Sequence, residues 1–173
     1  MFKKTIFSAV FILTFCISNL FAQTPPPEQS NLQQFAGKWV DKNAKVIIDG
    51  KTYRGEYSFE SIPVNMNTGI LAHERFTNSE LGNLAGENLF GFDPNLGLVH
   101  LYSTDNTGTC HDHYGYWIND KHLFVQYQGI VEDKMYVEQI DVMFESPNKM
   151  VLNLNAMLNG KIYEKAEGTF LKQ

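Results

Sequence analysis

The densest run of side chains able to do chemistry is Cys110-His111-Asp112-His113-Tyr114. Alternate residues of a strand share a face, so His111 and His113 would point the same way, about 6–7 Å apart. Two imidazoles at that spacing can share a divalent metal or serve a haem, and a metal site needs a third ligand. His100 is the candidate. A hairpin centred on Asn106-Thr107 would set His100 opposite His113 and Tyr102 opposite His111. A one-residue offset would send His100 to the other face. In the competing reading these histidines are partly buried strand residues satisfied by hydrogen bonds, with no metal. Cys110 and His111, as strand neighbours, face opposite sides and form no local thiol–imidazole dyad, so an inert, partly buried thiol is expected.

Aromatic residues offer a second chemistry. Tyr102, Trp117, Tyr127 and Phe144 could line an apolar cavity. The candidate ligand contacts are Tyr102, His113 and Trp117, with apolar burial supplying affinity and the imidazole orienting the ligand. Two other polar sets, Glu56/Ser58/Glu60 and Asp112/Tyr114/Tyr116, each share a strand face and read as solvated outer surface. There is no Gly-rich phosphate loop, no Gly-x-Ser-x-Gly, no His-Glu-x-x-His and no Cys-x-x-Cys. That pattern favours a binding protein over the common enzyme classes and names no cofactor.

The elements that must position these residues are strands. In Met150 to Leu158, Leu152, Leu154 and Ala156 take one face and Asn153 and Asn155 the other. Ile140, Val142 and Phe144 share a face in the segment from Met135, and Leu123, Val125 and Tyr127 do so in His122 to Gln128. Turn signals separate the runs: Asp93-Pro94-Asn95, Asp105-Asn106-Thr107-Gly108, Asn119-Asp120, Ser146-Pro147-Asn148 and Asn159-Gly160. The runs number about eight to ten. Short loops permit only antiparallel neighbours, and closing the resulting meander removes its two edges. The predicted fold is an all-β, antiparallel up-and-down barrel. Asn78 to Leu89 reads as helix or, given Gly82 and Gly86, as a flexible loop over a barrel mouth.

The chain ends divide differently. Lys3 and Lys4 precede an apolar run from Thr5 to Ile17, and small residues lead to a cleavage point after Ala22, the layout of a secretory signal peptide. Residues 23–31, with Pro25, Pro26 and Pro27, read as an extended tether, and 32–173 as one domain. Leu32, Phe35 and Ala36 fit a turn or two of helix that Gly37 stops. Loss of the leader's two lysines would take the formal charge from −5 to −7, and the only arginines are Arg54 and Arg75. Such a chain has no electrostatic footprint for nucleic acid or anionic lipid. Cys16 leaves with the leader, so Cys110 has no partner for an internal disulfide. The expected location is periplasmic or extracellular, with no membrane-spanning segment after cleavage.

Phe35-Ala36-Gly37-Lys38-Trp39 resembles the opening of lipocalins and related calycins, where a short helix leads into a Gly-x-Trp strand. Lipocalins place a C-terminal arginine against that tryptophan; here Lys161, Lys165 and Lys172 are the cations at hand. Gly91-Phe92-Asp93, Asp105-Asn106-Thr107-Gly108 and Gly115-Tyr116-Trp117, in that order and spacing, resemble an uncharacterised exported bacterial family, number 1579 in the domain-of-unknown-function series. The resemblance implies a lipocalin-like barrel from Gly37 onward and no particular activity. The function expected is binding of a small, partly apolar molecule inside the barrel. The alternatives are a metal- or haem-binding protein using His100, His111 and His113, and an envelope interaction module without a small ligand.

Overall fold

The computed structural model describes residues 26–173. The leader, its cleavage point and Cys16 lie outside the described residues. Helix α1 (Pro27–Asn31) and the 3-10 turn η1 (Leu32–Phe35) precede ten strands: β1 (Gly37–Ile48), β2 (Lys51–Val64), β3 (Gly69–Asn78), β4 (Gly82–Asp93), β5 (Leu98–Asp105), β6 (Cys110–Asn119), β7 (His122–Val131), β8 (Lys134–Ser146), β9 (Lys149–Leu158) and β10 (Lys161–Lys172). Each strand pairs antiparallel with its sequence neighbours, and β1 pairs with β10, so the sheet closes. The up-and-down barrel read from the alternation is the fold observed.

Two expectations fail. Residues 27–31 are not an extended tether: Pro27 stands in the first turn of α1, where its missing N–H has no helical partner to lose. Asn78 to Leu89 is neither helix nor lid. It holds the end of β3, a tight turn and the first part of β4. Gly86 is a strand residue there because it faces Glu74 across the ladder; a Cβ on it would come within 2.6 Å of Glu74 Oε1. The glycine makes room for the half-buried Glu74 carboxylate.

The two barrel ends differ. At one end η1 drives Leu32 and Phe35 into the bore, where they pack with Trp39, Phe59, Ile70, Leu123, Phe144, Met150 and Phe170. Trp39 Nε1 donates to Phe35 O at 2.8 Å, and Gln33 and Gln34 side chains donate to Asn67 O and Asp120 O, which ties the plug to two of the turns. Lys172 Nζ lies 5.1 Å from the Trp39 ring, so a lysine occupies the place that the lipocalin comparison reserved for arginine. Gly37 meets this lysine at φ +114°, a backbone region open to glycine. At the far end a smaller apolar group, Ala44, Val46, Phe76 and Ala166, forms a rim with Leu81 and Leu84. No helix covers that end among the described residues. A belt of polar side chains lies between plug and rim.

Candidate functional site

The belt is built by strand parity. On β6 the inward positions are His111, His113, Gly115 and Trp117, while Cys110, Asp112, Tyr114 and Tyr116 face solvent. On β8 the same rule turns Tyr136 and Glu138 inward along with Ile140, Val142 and Phe144. Tyr127 of β7 lies directly across from Glu138. Glu138 is in turn aligned with Ala156 of β9, and Ala156 with Glu164 of β10. Two carboxylates therefore face the bore over one small residue.

Glu138 is the hub. Its Oε1 lies 2.9 Å from His113 Nε2, and Oε2 lies 3.3 Å from His111 Nδ1 and accepts from the Tyr136 hydroxyl at 2.5 Å. The other His113 nitrogen, Nδ1, faces Leu101 O at 3.2 Å. His111 stacks on Tyr127 with ring centroids 4.0 Å apart and planes 14° off parallel. Burial alone would raise the Glu138 pKa, but its hydrogen bonds from His111, His113 and Tyr136 outweigh that and hold the carboxyl far below the usual range. Burial, together with the Glu138 charge, pushes the Tyr136 phenol well above its ordinary value.

The other acids behave differently. Glu164, desolvated and facing the charges of Glu138 and Asp105, is pushed up to about 7. Glu74 is raised as well, chiefly by burial, although the Tyr57 hydroxyl donates to it at 2.6 Å. Asp105 is lowered: burial opposes ionisation, and the donors of Thr107 and Thr109 overcome it.

Two adjoining cavities meet at this belt. The one toward the plug, about 110 Å³, has mostly apolar walls that include Phe59, Leu101, Val125 and Ile140. The one toward the rim, about 200 Å³, is walled by Asp105, His111, Tyr136, Glu138 and Glu164 among others. Tyr57, Glu74 and Glu138 border both. Among the described residues, no lysine or arginine lines either cavity.

Of the residues the sequence nominated, His113 faces the bore, 1% exposed. Trp117 faces inward too, but near the plug, stacked on Phe144 at 6.5 Å and outside the walls of both cavities. Tyr102 faces outward, 48% exposed, with its hydroxyl 3.0 Å from Cys110 Sγ. Cys110 is itself exposed rather than partly buried. His100 is outside, paired with Asp112 at 3.3 Å. The trio His100, His111 and His113 is therefore split across the sheet.

Turn chemistry causes the split. Asp105 N bonds to Thr109 O, so the loop holds three residues, 106–108, centred on Thr107. The Asp105 carboxylate accepts from Thr107 N, Thr107 Oγ1 and Thr109 N, and Gly108 takes φ +94°. A three-residue loop with a left-handed glycine is a standard hairpin form. It sets Leu101, not His100, opposite His113, and Ser103 opposite His111. The third group near the two imidazoles is Glu138. Parity along β8 could have found it, two positions before Ile140, as a carboxylate on an otherwise apolar face.

No family model matches the chain, and no curated protein matches it. Among solved structures, the barrel is similar to Rv2717c from M. tuberculosis, with a TM-score of 0.63 and 11% identity over 87% of this chain and 99% of that one. A de novo designed fluorescence-activating β-barrel also aligns, at TM-score 0.45 and 14% identity, over 83% of this chain and 98% of the design. At such identities the likeness is one of fold, and the fold is what this chain shares with Rv2717c.

Proposed function

We propose that this chain is an exported binding protein, related to the number 1579 family, that holds a small amphipathic molecule bearing a protonated amine or a similar donor. The observation that carries the reading is the pairing of two cavities on one bore, apolar toward the plug and acidic toward the rim. An apolar cavity on the order of 150 Å³ is enough to take a benzene ring. The plug-side cavity, at about 110 Å³, accepts a short hydrocarbon chain. Beyond it, Glu164, Asp105 and the Tyr136 phenol present acceptors, and among the described residues no lysine or arginine joins them. Carboxylate or phosphate headgroups would meet like charge there and lose affinity.

Binding of hexylamine and of hexanoate, measured by calorimetry in the presence of a chelator, tests this. Hexylamine should bind tighter by about tenfold or more, equivalent to about 1.4 kcal/mol. Ala166 borders both cavities, so Ala166→Phe should abolish amine binding while the far-ultraviolet spectrum is retained. Equal or tighter binding of hexanoate, or amine binding unchanged in Ala166→Phe, would overturn the proposal.

One observation favours a second reading, an interaction module. Outside the barrel, Ile62, Leu71, Leu89 and Tyr102 align in register across β2 to β5, and Ile62, Leu89 and Tyr102 are about half exposed. Leu89→Glu separates the readings, because it should leave hexylamine binding unchanged.

A further inference from the structure

We propose that His111, His113 and Glu138 form a binding site for a divalent cation of the zinc class, open on its remaining side to the rim-side cavity. This does not rest on the amine reading, and it replaces His100 with a ligand from β8.

The three donor atoms lie within 4.8 Å of one another. Tetrahedral zinc ligands stand roughly 3.4 Å apart for bonds of about 2.0–2.1 Å, so side-chain adjustments on the order of 1 Å close the set. Ring orientation supports the set. A proton on His113 Nδ1 would satisfy the Leu101 carbonyl 3.2 Å away and leave Nε2, 2.9 Å from Glu138 Oε1, as the nitrogen that faces the metal. His111 Nδ1 faces the same carboxylate.

The supports around the three side chains are those a metal centre uses. A ligating histidine usually donates its other nitrogen to a carbonyl or carboxylate, which fixes the tautomer and the ring. His113 does this with Leu101 O. Tyr136 donates to Glu138 Oε2, and Tyr127 holds the His111 ring by stacking. His111 and the Glu138 side chain keep 12% of their surface exposed, and both border the cavity, which leaves space for water or a small ligand on the metal. Two imidazoles and one carboxylate suit zinc and its neighbours better than magnesium or calcium, which prefer all-oxygen sets. The outward pairs His73–Glu87, His100–Asp112 and His122–Asp141 each offer a single histidine and serve as internal controls.

The test is titration of the chelator-treated full-length protein with cobalt(II) and, separately, zinc(II). The expected result is one equivalent bound, a visible cobalt ligand-field spectrum, and proton release on binding. His111→Ala and Glu138→Gln should each weaken binding by about 100-fold or more. His100→Ala and His122→Ala should leave it unchanged. Nitrogen chemical shifts of the His111 and His113 rings in the unmutated protein should move on adding zinc, a readout that does not depend on any variant folding. Absence of stoichiometric binding, binding unaffected by His111→Ala in a folded variant, loss in His100→Ala, or unmoved His111 and His113 shifts would overturn the proposal.

Discussion

Glu138 and Glu164 face the same bore across Ala156, yet their surroundings move them in opposite directions. Glu138 is surrounded by donors, and Glu164 has none of that support among the causes acting on it. The Glu164 pKa of about 7 exceeds that of a free glutamate, so folding favours its neutral form. The stability it supports is complete below about pH 4, declines between there and pH 7, and is gone above that. Glu164→Gln should therefore raise stability by about 2–3 kcal/mol at pH 8 and by almost nothing at pH 4. Thermal melts across that range check it. Glu138 has the reverse sign: its lowered pKa contributes stability at neutral pH that is lost as acidity increases below about pH 4–5. Alternation put His111 and His113 on one face of their strand, and the structure turns that face inward. Parity along β8 turns Glu138 inward with Ile140, but it does not say which residues of the neighbouring strands Glu138 meets. His111 and His113 were visible as a pair; their partner, 25 residues beyond His113, needed the β7–β8 register.

Hairpin loops decide which faces meet. Asn159-Gly160 and Asp49-Gly50 both adopt positive φ at both residues, the form that matches strand twist. The first was legible as a turn between two alternating runs, whereas the second has an apolar run on one side only, Val46-Ile47-Ile48. The Asp105 loop shows the limit of reading turns from composition. Asp105-Asn106-Thr107-Gly108 announced a turn, but its centre was set by the three hydrogen bonds on the Asp105 carboxylate. One residue of offset moved His100 and Tyr102 outside. Asp105→Ala removes those acceptors and should cost about 1–2 kcal/mol in urea denaturation. Asn78 to Leu89 misled for a related reason. Gly82 ends a turn at φ +77°, whereas Gly86 is a strand residue that clears space for Glu74, and composition treats the two glycines alike.

Across the whole molecule, hydrophobic burial is concentrated at the plug. Phe35 sits 4.7 Å from Phe90 and 4.9 Å from Phe144, ring centre to ring centre, and forms part of the plug-side cavity wall. Phe35→Ala should destabilise the protein by about 3–5 kcal/mol, measured by chemical denaturation, and should let a longer alkylamine bind. No helix among the described residues is long and apolar enough to cross a membrane.

The joined β1–β10 ladder also frees the order of the chain from the order of the wall. Gln173 N bonds to Lys38 O at 2.9 Å, so Gln173 lies beside the first strand. A linker from there to the plug segment would close the backbone into a ring, which could be opened instead at 132–133 or 159–160. In a ring of staves no stave comes first. Permuted chains should rebuild the same wall and still enclose the same charged interior.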